Sequence, residues 1–187
     1  MWRDWNRIFP FSMIETKIKQ TVRDVNDFPK AGIVFKDITP ILKDAGLCRE
    51  IIEALAAQLS ELKIDVVAGI ESRGFLFGMS LAHLLNVPFV PIRKAGKLPY
   101  KTIQQSYDLE YGSATLEVHE DAILPGQRVL IHDDLLATGG TVVAASRLIE
   151  QLGAVVEGYS FIIALAFLNG NERLKVFSPN NFALASY

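Results

Sequence analysis

The stretch Val129-Leu-Ile-His-Asp-Asp-Leu-Leu-Ala-Thr-Gly-Gly-Thr141 decides the fold. Val129 to Ile131 is an apolar run suited to a parallel strand covered on both faces. Two acids, Asp133 and Asp134, follow it, and Ala137 to Gly140 makes a turn of small residues. Gly139 and Gly140 let the backbone reach positive φ and approach a ligand closely. From Thr141 onward a helix is predicted, with Val142, Ala145, Ile149 and Leu152 among its apolar positions. The unpaired amides and partial positive charge of a helix start suit a phosphate. The neighbouring carboxylates suit sugar hydroxyls and would repel a second phosphate. Strand, acid pair, turn and helix together predict a ribose-5-phosphate site.

The same grammar extends outward. Ile14 to Val25 has apolar residues at 14, 18, 22 and 25 and is predicted as an amphipathic helix. Pro29, Gly32 and Pro40 make Asp27 to Pro40 a structured loop or short strand pair. Leu47, Ile51, Leu55, Leu59 and Leu62 predict a helix over Ala45 to Leu62. Asp65 to Ile70 reads as a buried strand, Gly74 to Leu85 as a helix, Val87 to Ile92 as a strand, and Phe161 to Leu168 as another buried strand. Such alternation predicts a parallel α/β sheet. Lys94 to Tyr107 interrupts it with Gly96, Pro99 and the polar run Gln104-Gln105-Ser106, and Asp108 to His119 alternates polar and apolar residues. A hairpin or a flexible flap fits both, and a long polar loop in a compact domain is often a lid.

Composition bounds the rest. The 187 residues, half of them apolar and 21% charged, fit one domain with a sizeable core. A net charge of −2 gives no overall attraction to nucleic acid or an anionic membrane. The longest apolar run is too short to span a bilayer. Cys48 stands alone, which excludes an internal disulfide framework and fits a packed thiol in a reducing, cytoplasmic setting. His83, His119 and His132 are far apart, and no zinc-type spacing occurs. Residues 1–12 hold Trp2 and Trp5 without periodicity or the parts of a signal peptide. They are expected to be a disordered extension or a non-native start ahead of Met13.

A second turn, Glu71-Ser-Arg-Gly74, also follows a strand and opens a helix. On its own it reads equally as a simple cap, with Ser72 capping and Arg73 solvated. Beside the first turn it gains meaning, because loops after parallel strands share the carboxyl edge where ligands bind. One turn can hold a 5-phosphate and the other a pyrophosphate, with Arg73 adding a charge-assisted contact.

The acid pair, small turn and terminal Thr resemble the signature of the type I phosphoribosyltransferases. Four further blocks narrow the resemblance to the adenine phosphoribosyltransferase family: Phe28-Pro29 with Gly32-Ile-Val-Phe-Lys-Asp-Ile-Thr-Pro40, Glu71-Ser-Arg-Gly-Phe-Leu-Phe-Gly78, Arg93-Lys-Ala-Gly-Lys-Leu-Pro99 and Leu109-Glu-Tyr-Gly112. They occur in that family's order, over about Met13 to Tyr187. The resemblance implies the type I fold: a central parallel sheet of about five strands flanked by helices, a hood largely from residues 13–40 and a flap over about 94–119. It implies a pentosyltransferase of purine salvage that moves a phosphoribosyl group onto adenine N9, giving AMP and pyrophosphate, in a homodimer. It also implies a cis bond at Glu71–Ser72.

By the same resemblance, Ala137, Thr138, Gly139, Gly140 and Thr141 cradle the 5-phosphate, and Asp133 and Asp134 face the ribose. Glu71, Ser72, Arg73, Lys97 and Tyr111 serve the pyrophosphate. Val34 and Lys36 read the adenine edge through backbone groups, while Phe35 and Leu135 sandwich its ring. Glu110 and Arg73 are the catalytic candidates, with Glu110 near N7 for proton handling. No aspartate cage for a metal is apparent, so Mg2+ is expected to arrive on the substrate.

Three residues depart from the family's pattern. Ala31 stands where proline is frequent, Ala95 where a basic or polar residue is frequent, and His132 where an aliphatic one is usual. His132 reads as a packed strand residue or as a titrating neighbour of the acid pair. A sensor built on the same sugar-phosphate site would need a DNA-binding module, for which Met1 to Val25 is too short. Val34-Phe35-Lys36 and Leu109 to Gly112 argue against an enzyme for 6-oxopurines or orotate. No Gly-x-x-x-x-Gly-Lys-Ser/Thr occurs, which excludes a Walker-type hydrolase.

Overall fold

The computed structural model describes residues 11–108 and 112–187. Residues 1–10, with Trp2 and Trp5, and Leu109 to Tyr111, with both Glu110 and Tyr111, lie outside the described residues. At the centre are two strands with nearly unbroken burial, β3 (Val66–Ile70) and β7 (Arg128–Leu136). They pair in parallel, Val66 opposite Val129 and Gly69 opposite His132. β4 (Phe89–Lys94) extends this sheet on one side, and β8 (Val155–Ala164) and β9 (Asn181–Ser186) on the other, all parallel. A hairpin of β5 (Thr102–Asp108) and β6 (Ser113–His119) joins antiparallel to β4. The seven-stranded order is β5-β6-β4-β3-β7-β8-β9. Its five parallel strands match the expected sheet, and the polar interruption is the hairpin.

Helices cover both faces. α1 (Phe11–Thr21), α2 (Ala45–Gln58) and α3 (Gly74–Leu85) pack on one, burying Ile14, Ile18, Leu55 and Leu81 against Val67, Leu130 and Ile162. α4 (Gly140–Gln151) covers the other, where Val142, Leu148 and Ile149 meet Val129, Ile131 and Phe161. Each such side chain contributes about 1.5–3 kcal/mol when fully buried. Asp44 caps α2 by accepting from Leu47 N at 3.0 Å. A separate two-stranded hairpin pairs β1 (Arg23–Asn26) with β2 (Val34–Asp37).

Several boundaries differ from the periodicity reading. α1 starts at Phe11 and stops at Thr21, so Val25 lies in a strand rather than a helix. The competing partner is β2: Arg23 faces Asp37 in register, and its Nε donates to Asp37 Oδ2 at 3.1 Å. α2 ends at Gln58, although Leu59 beyond it is still buried. β8 ends at Ala164 rather than Leu168, because Leu165 N turns to Leu136 O and Ala166–Leu168 coil into a 3-10 turn. That turn leads through Asn169 (φ 53) into the short α5 (Gly170–Leu174).

The topology fixes where a ligand goes. The chain leaves β3 for β4 on one side and later returns to β7 on the other. Strand order therefore reverses between β3 and β7, and in sheets of this kind ligands bind outside the carboxyl ends at that point. The two turns singled out in the sequence directly follow these two strands.

Candidate active site

The turn after β7 is shaped by what glycine lacks. Gly139 adopts φ 81 as the N-cap of α4, and no side chain caps the amides of the helix start. A Cβ on Gly139 would lie 2.9 Å from Gly170 O, and one on Gly170 would collide with Ala137 O. α5 is thereby pressed against the turn. Arg173 on α5 donates from Nη1 to Thr138 O at 3.3 Å. On another side stands β5: Thr141 Oγ1 donates to Tyr107 Oη at 3.3 Å, and Asp108 O lies 3.7 Å from the Cβ position of Gly140. Sequence reasoning missed Tyr107 and Arg173. Arg173 was findable, since Asn169-Gly170 breaks the chain after a strand ending on the same sheet edge.

Asp133 and Asp134 lie within β7, which runs on to Leu136 rather than ending before the acids, and they stand beside the start of α3. Gly74 allows this approach; its Cβ would lie 2.7 Å from His132 O and 3.1 Å from Asp133 Oδ1. Arg73 Nε lies 2.9 Å from Asp134 Oδ2, an ion pair without hydrogen-bond alignment, so that buried oxygen has no hydrogen-bond partner. Burial raises the pKa of both carboxyls; for Asp133 the adjacent Asp134 charge raises it further, and for Asp134 the Arg73 charge partly offsets burial. Crowded, desolvated carboxylates of this kind favour a cation or hydroxyl donors nearby. His132 is fully buried, with Nδ1 3.3 Å from Ser160 Oγ and Nε2 unpartnered. Burial pushes its pKa down to about 4, so it is neutral at physiological pH. Its full burial is what the packed reading of His132 expects.

The Glu71–Ser72 bond is cis. The Glu71 carboxylate turns toward β4, where both oxygens take the Arg93 guanidinium at 3.1 Å and Oε2 also takes Lys94 N. Arg93 first, then Lys94, holds its pKa below the usual value against burial. Arg93 also donates to Lys97 O at 3.2 Å. Glu117, buried at 2% exposure, accepts from Lys97 N and Leu98 N at 2.8 Å each. Burial alone would raise the Glu117 pKa, but the amides of Leu98, Gly96 and Lys97 and the Gln104 side chain outweigh it. The Lys97 turn is thus tied through Arg93 to Glu71.

Opposite the acid pair, the β1–β2 hairpin presents Phe35. Its ring centroid is 5.0 Å from Arg73 Cζ and 5.1 Å from the Phe28 ring, in an edge contact. Arg73 thus spans from the hairpin to the acid pair. Leu135 is partly buried against the core that holds Ile162 and Ile163. Val34 is half exposed. The Lys36 side chain points elsewhere, to Asp24 Oδ1 at 2.6 Å and over the Tyr187 ring at 4.2 Å. Among the described residues no three His, Cys, Asp or Glu side chains group as a metal site.

A doubly flanked parallel sheet with two anion-suited turns at its switch point defines a sugar-phosphate enzyme class, and the comparisons agree. The profile described as "Phosphoribosyl transferase domain" matches residues 40–178, and the chain belongs to this phosphoribosyltransferase family. Within it, the similar proteins are adenine phosphoribosyltransferases. That of Cytophaga hutchinsonii is 50% identical over 94% of this chain and 97% of its own length. That of Alkaliphilus metalliredigens is 57% identical over 84% and 92%. The crystal structure of adenine phosphoribosyltransferase from Thermoanaerobacter pseudethanolicus superposes with TM-score 0.89 at 50% identity, covering 92% of this chain and 99% of that one. The Saccharomyces cerevisiae enzyme, solved with an imino-altritol bisphosphate and adenine, gives 0.86 at 42%, with the same coverage.

Proposed function

We infer that this protein transfers the phosphoribosyl group of 5-phosphoribosyl 1-pyrophosphate to adenine N9, releasing pyrophosphate and forming AMP in purine salvage. The observation that carries it is Arg73, which contacts both the Phe35 ring and Asp134 at the β3/β7 switch point. Base, sugar and leaving group must meet at one such point. Ala137 to Thr141 bind the 5-phosphate through amides, and Asp133 and Asp134 orient the ribose hydroxyls. Ser72, Arg73 and Lys97 bind the pyrophosphate; Glu71 serves that site indirectly, by fixing Arg93 and the Lys97 turn.

The chemistry follows from charge. The C1–oxygen bond breaks as the C1–N9 bond forms, and the sugar passes through an oxocarbenium-like state. The crowded acid pair, disfavoured as carboxylates by desolvation and at Asp133 also by the Asp134 charge, is stabilised as positive charge develops on the ribose. The cations of Arg73 and Lys97 stabilise the departing pyrophosphate. Two adjacent carboxylates are too few to cage a magnesium ion, but they suit one carried by the substrate. When bound, Mg2+ neutralises charge on the leaving group. By the family resemblance, Glu110 would handle the proton that adenine loses and Tyr111 would serve the pyrophosphate; both lie outside the described residues.

Phe35 and Leu135 sandwich the base. The backbone of Val34 and Lys36 pairs with adenine N1 and N6, and hypoxanthine, which reverses donor and acceptor there, leaves buried groups unpaired at about 1–3 kcal/mol each. The β1–β2 hairpin is the hood over the base, and residues 94–119 form the flap that excludes water from the activated sugar. Residues 13–187 act as one domain, and residues 1–12 take no part in the chemistry. No helix among the described residues is long and apolar enough to cross a membrane. The protein works in the cytoplasm as a homodimer, without nucleic acid or membrane; the exposed Leu76 and Met79 on α3 support an interface.

The test is pyrophosphate release with 5-phosphoribosyl 1-pyrophosphate and Mg2+, offering adenine, hypoxanthine, guanine or orotate. Turnover with adenine alone is expected. Comparable turnover of hypoxanthine would refute the base pocket, and tight substrate binding without turnover would favour a sensor.

A further inference from the structure

We propose that Arg173 is a further phosphate-binding residue, supplying the full positive charge that the cradle of residues 137–141 lacks. The proposal rests on reading that turn as the 5-phosphate site. Ala137, Thr138, Gly139, Gly140 and Thr141 carry no charge of their own. Their amides and the start of α4 supply only partial positive charge. A phosphate monoester brings about 1.5–2 negative charges at neutral pH.

Arg173 stands where that deficit falls. Nη1 donates to Thr138 O at 3.3 Å and lies 3.8 Å from the Cβ position of Gly140. A guanidinium has five donors in a planar fork, so one carbonyl leaves others for phosphate oxygens. Arg173 is exposed, and among the described residues it has no carboxylate at ion-pair distance, whereas its neighbour Glu172 pairs with Lys175 at 2.7 Å. The backbone beneath it is held firmly: Leu174 is fully buried, and Gly170 and Gly139 touch backbone to backbone. A guanidinium on a fixed root, with its head at the cradle and no carboxylate at ion-pair distance among the described residues, is suited to a ligand anion.

The experiment measures binding of AMP and adenosine to the full chain by calorimetry, in the native protein and in Arg173→Met and Arg173→Lys. Methionine keeps an apolar stem and removes the charge; lysine keeps the charge and loses the fork. Arg173→Met is expected to weaken AMP about tenfold, or about 1.4 kcal/mol, with adenosine unchanged. Arg173→Lys recovers part of the loss. In turnover, the KM for 5-phosphoribosyl 1-pyrophosphate rises while kcat and the adenine KM stay near native values. An unchanged preference for AMP over adenosine in Arg173→Met overturns the proposal but leaves the cradle standing. Equal loss of AMP and adenosine makes Arg173 a packing residue only and also overturns it. A native protein that binds AMP no more tightly than adenosine would remove the cradle itself.

Discussion

A single methyl group at Gly74 separates the geometry of the acid pair from mere fold stability. A Cβ there would lie 2.7 Å from His132 O, where ordinary contact begins at 3.4 Å, leaving it 0.7 Å too close. It would also lie 3.1 Å from both Asp133 Cα and Asp133 Oδ1, so most of what it meets is strand backbone. β7 is paired on both sides and cannot yield cheaply. α3 must move off it, carrying Arg73 away from Asp134. Overpacking of this kind costs about 1–3 kcal/mol, or roughly 2–4 °C in Tm per kcal/mol for a domain of this size. Activity should fall further, because an ångström of misplacement in a reacting site costs on the order of 100-fold. Gly78, one turn along the same helix, is the control. Its Cβ would meet Phe89 Cε2 at 3.0 Å and His132 Cδ2 at 3.2 Å, which are ring atoms able to shift. Gly78→Ala is expected to lose similar Tm yet keep kcat/KM within about threefold. A folded Gly74→Ala with native kcat/KM would refute the reasoning, as would activity that tracks Tm alike in both variants.

Three other outcomes are expected. Arg23, Thr39 N and the Thr39 hydroxyl hold Asp37 at a pKa of about 2. A depressed carboxyl stabilises fully above its unfolded pKa and loses that as pH falls toward the folded value. Amide-exchange protection of the β1–β2 hairpin should therefore decline from about pH 4 toward 2, and Asp37→Asn should lack that pH dependence; a native-like acid profile in the variant counts against the latch. His132, lowered to about 4 by burial, binds a proton more readily unfolded, so native stability should fall as pH drops from about 6.5 to 4. His132→Val should flatten that slope in acid melts without changing the pH–rate profile near neutrality, and a shifted profile would contradict the packed role. Arg73 lowers the Asp134 pKa. Arg73→Met should thus move the acid limb of kcat/KM to higher pH as well as slow turnover, and an unmoved limb would show that the two groups are not coupled.

The core and the sheet edge were legible because their signals are local. Val129 to Ile131 and Val66 to Ile70 are unbroken apolar runs, and buried parallel strands follow. Asp133-Asp134 and Gly139-Gly140 pointed to the carboxyl end of β7 as the candidate site, although the strand carries on past the acids to Leu136. Boundaries were less legible where a tertiary partner overrides periodicity. Val22 and Val25 continue the spacing of Ile14 and Ile18, yet pairing of Arg23 with Asp37 draws the segment into a strand. Leu165 to Leu168 are as apolar as the strand before them, but Leu165 N bonds Leu136 O and the chain turns. Contacts across long sequence gaps were invisible: Arg173 on Thr138, Tyr107 on Thr141, and Glu71 turned toward Arg93. The first and last arise because the carboxyl ends of β3, β4, β7 and β8 share one edge, and the second because the β5–β6 hairpin brings Tyr107 to it.

The most direct test of the account is a crystal structure of the protein with AMP, pyrophosphate and Mg2+. The AMP phosphate is expected on the amides of Ala137 to Thr141 and the ribose hydroxyls at Asp133 and Asp134. Adenine is expected between Phe35 and Leu135, and pyrophosphate beside Ser72, Arg73 and Lys97. Pyrophosphate on the 137–141 turn, or adenine away from Phe35, would contradict it.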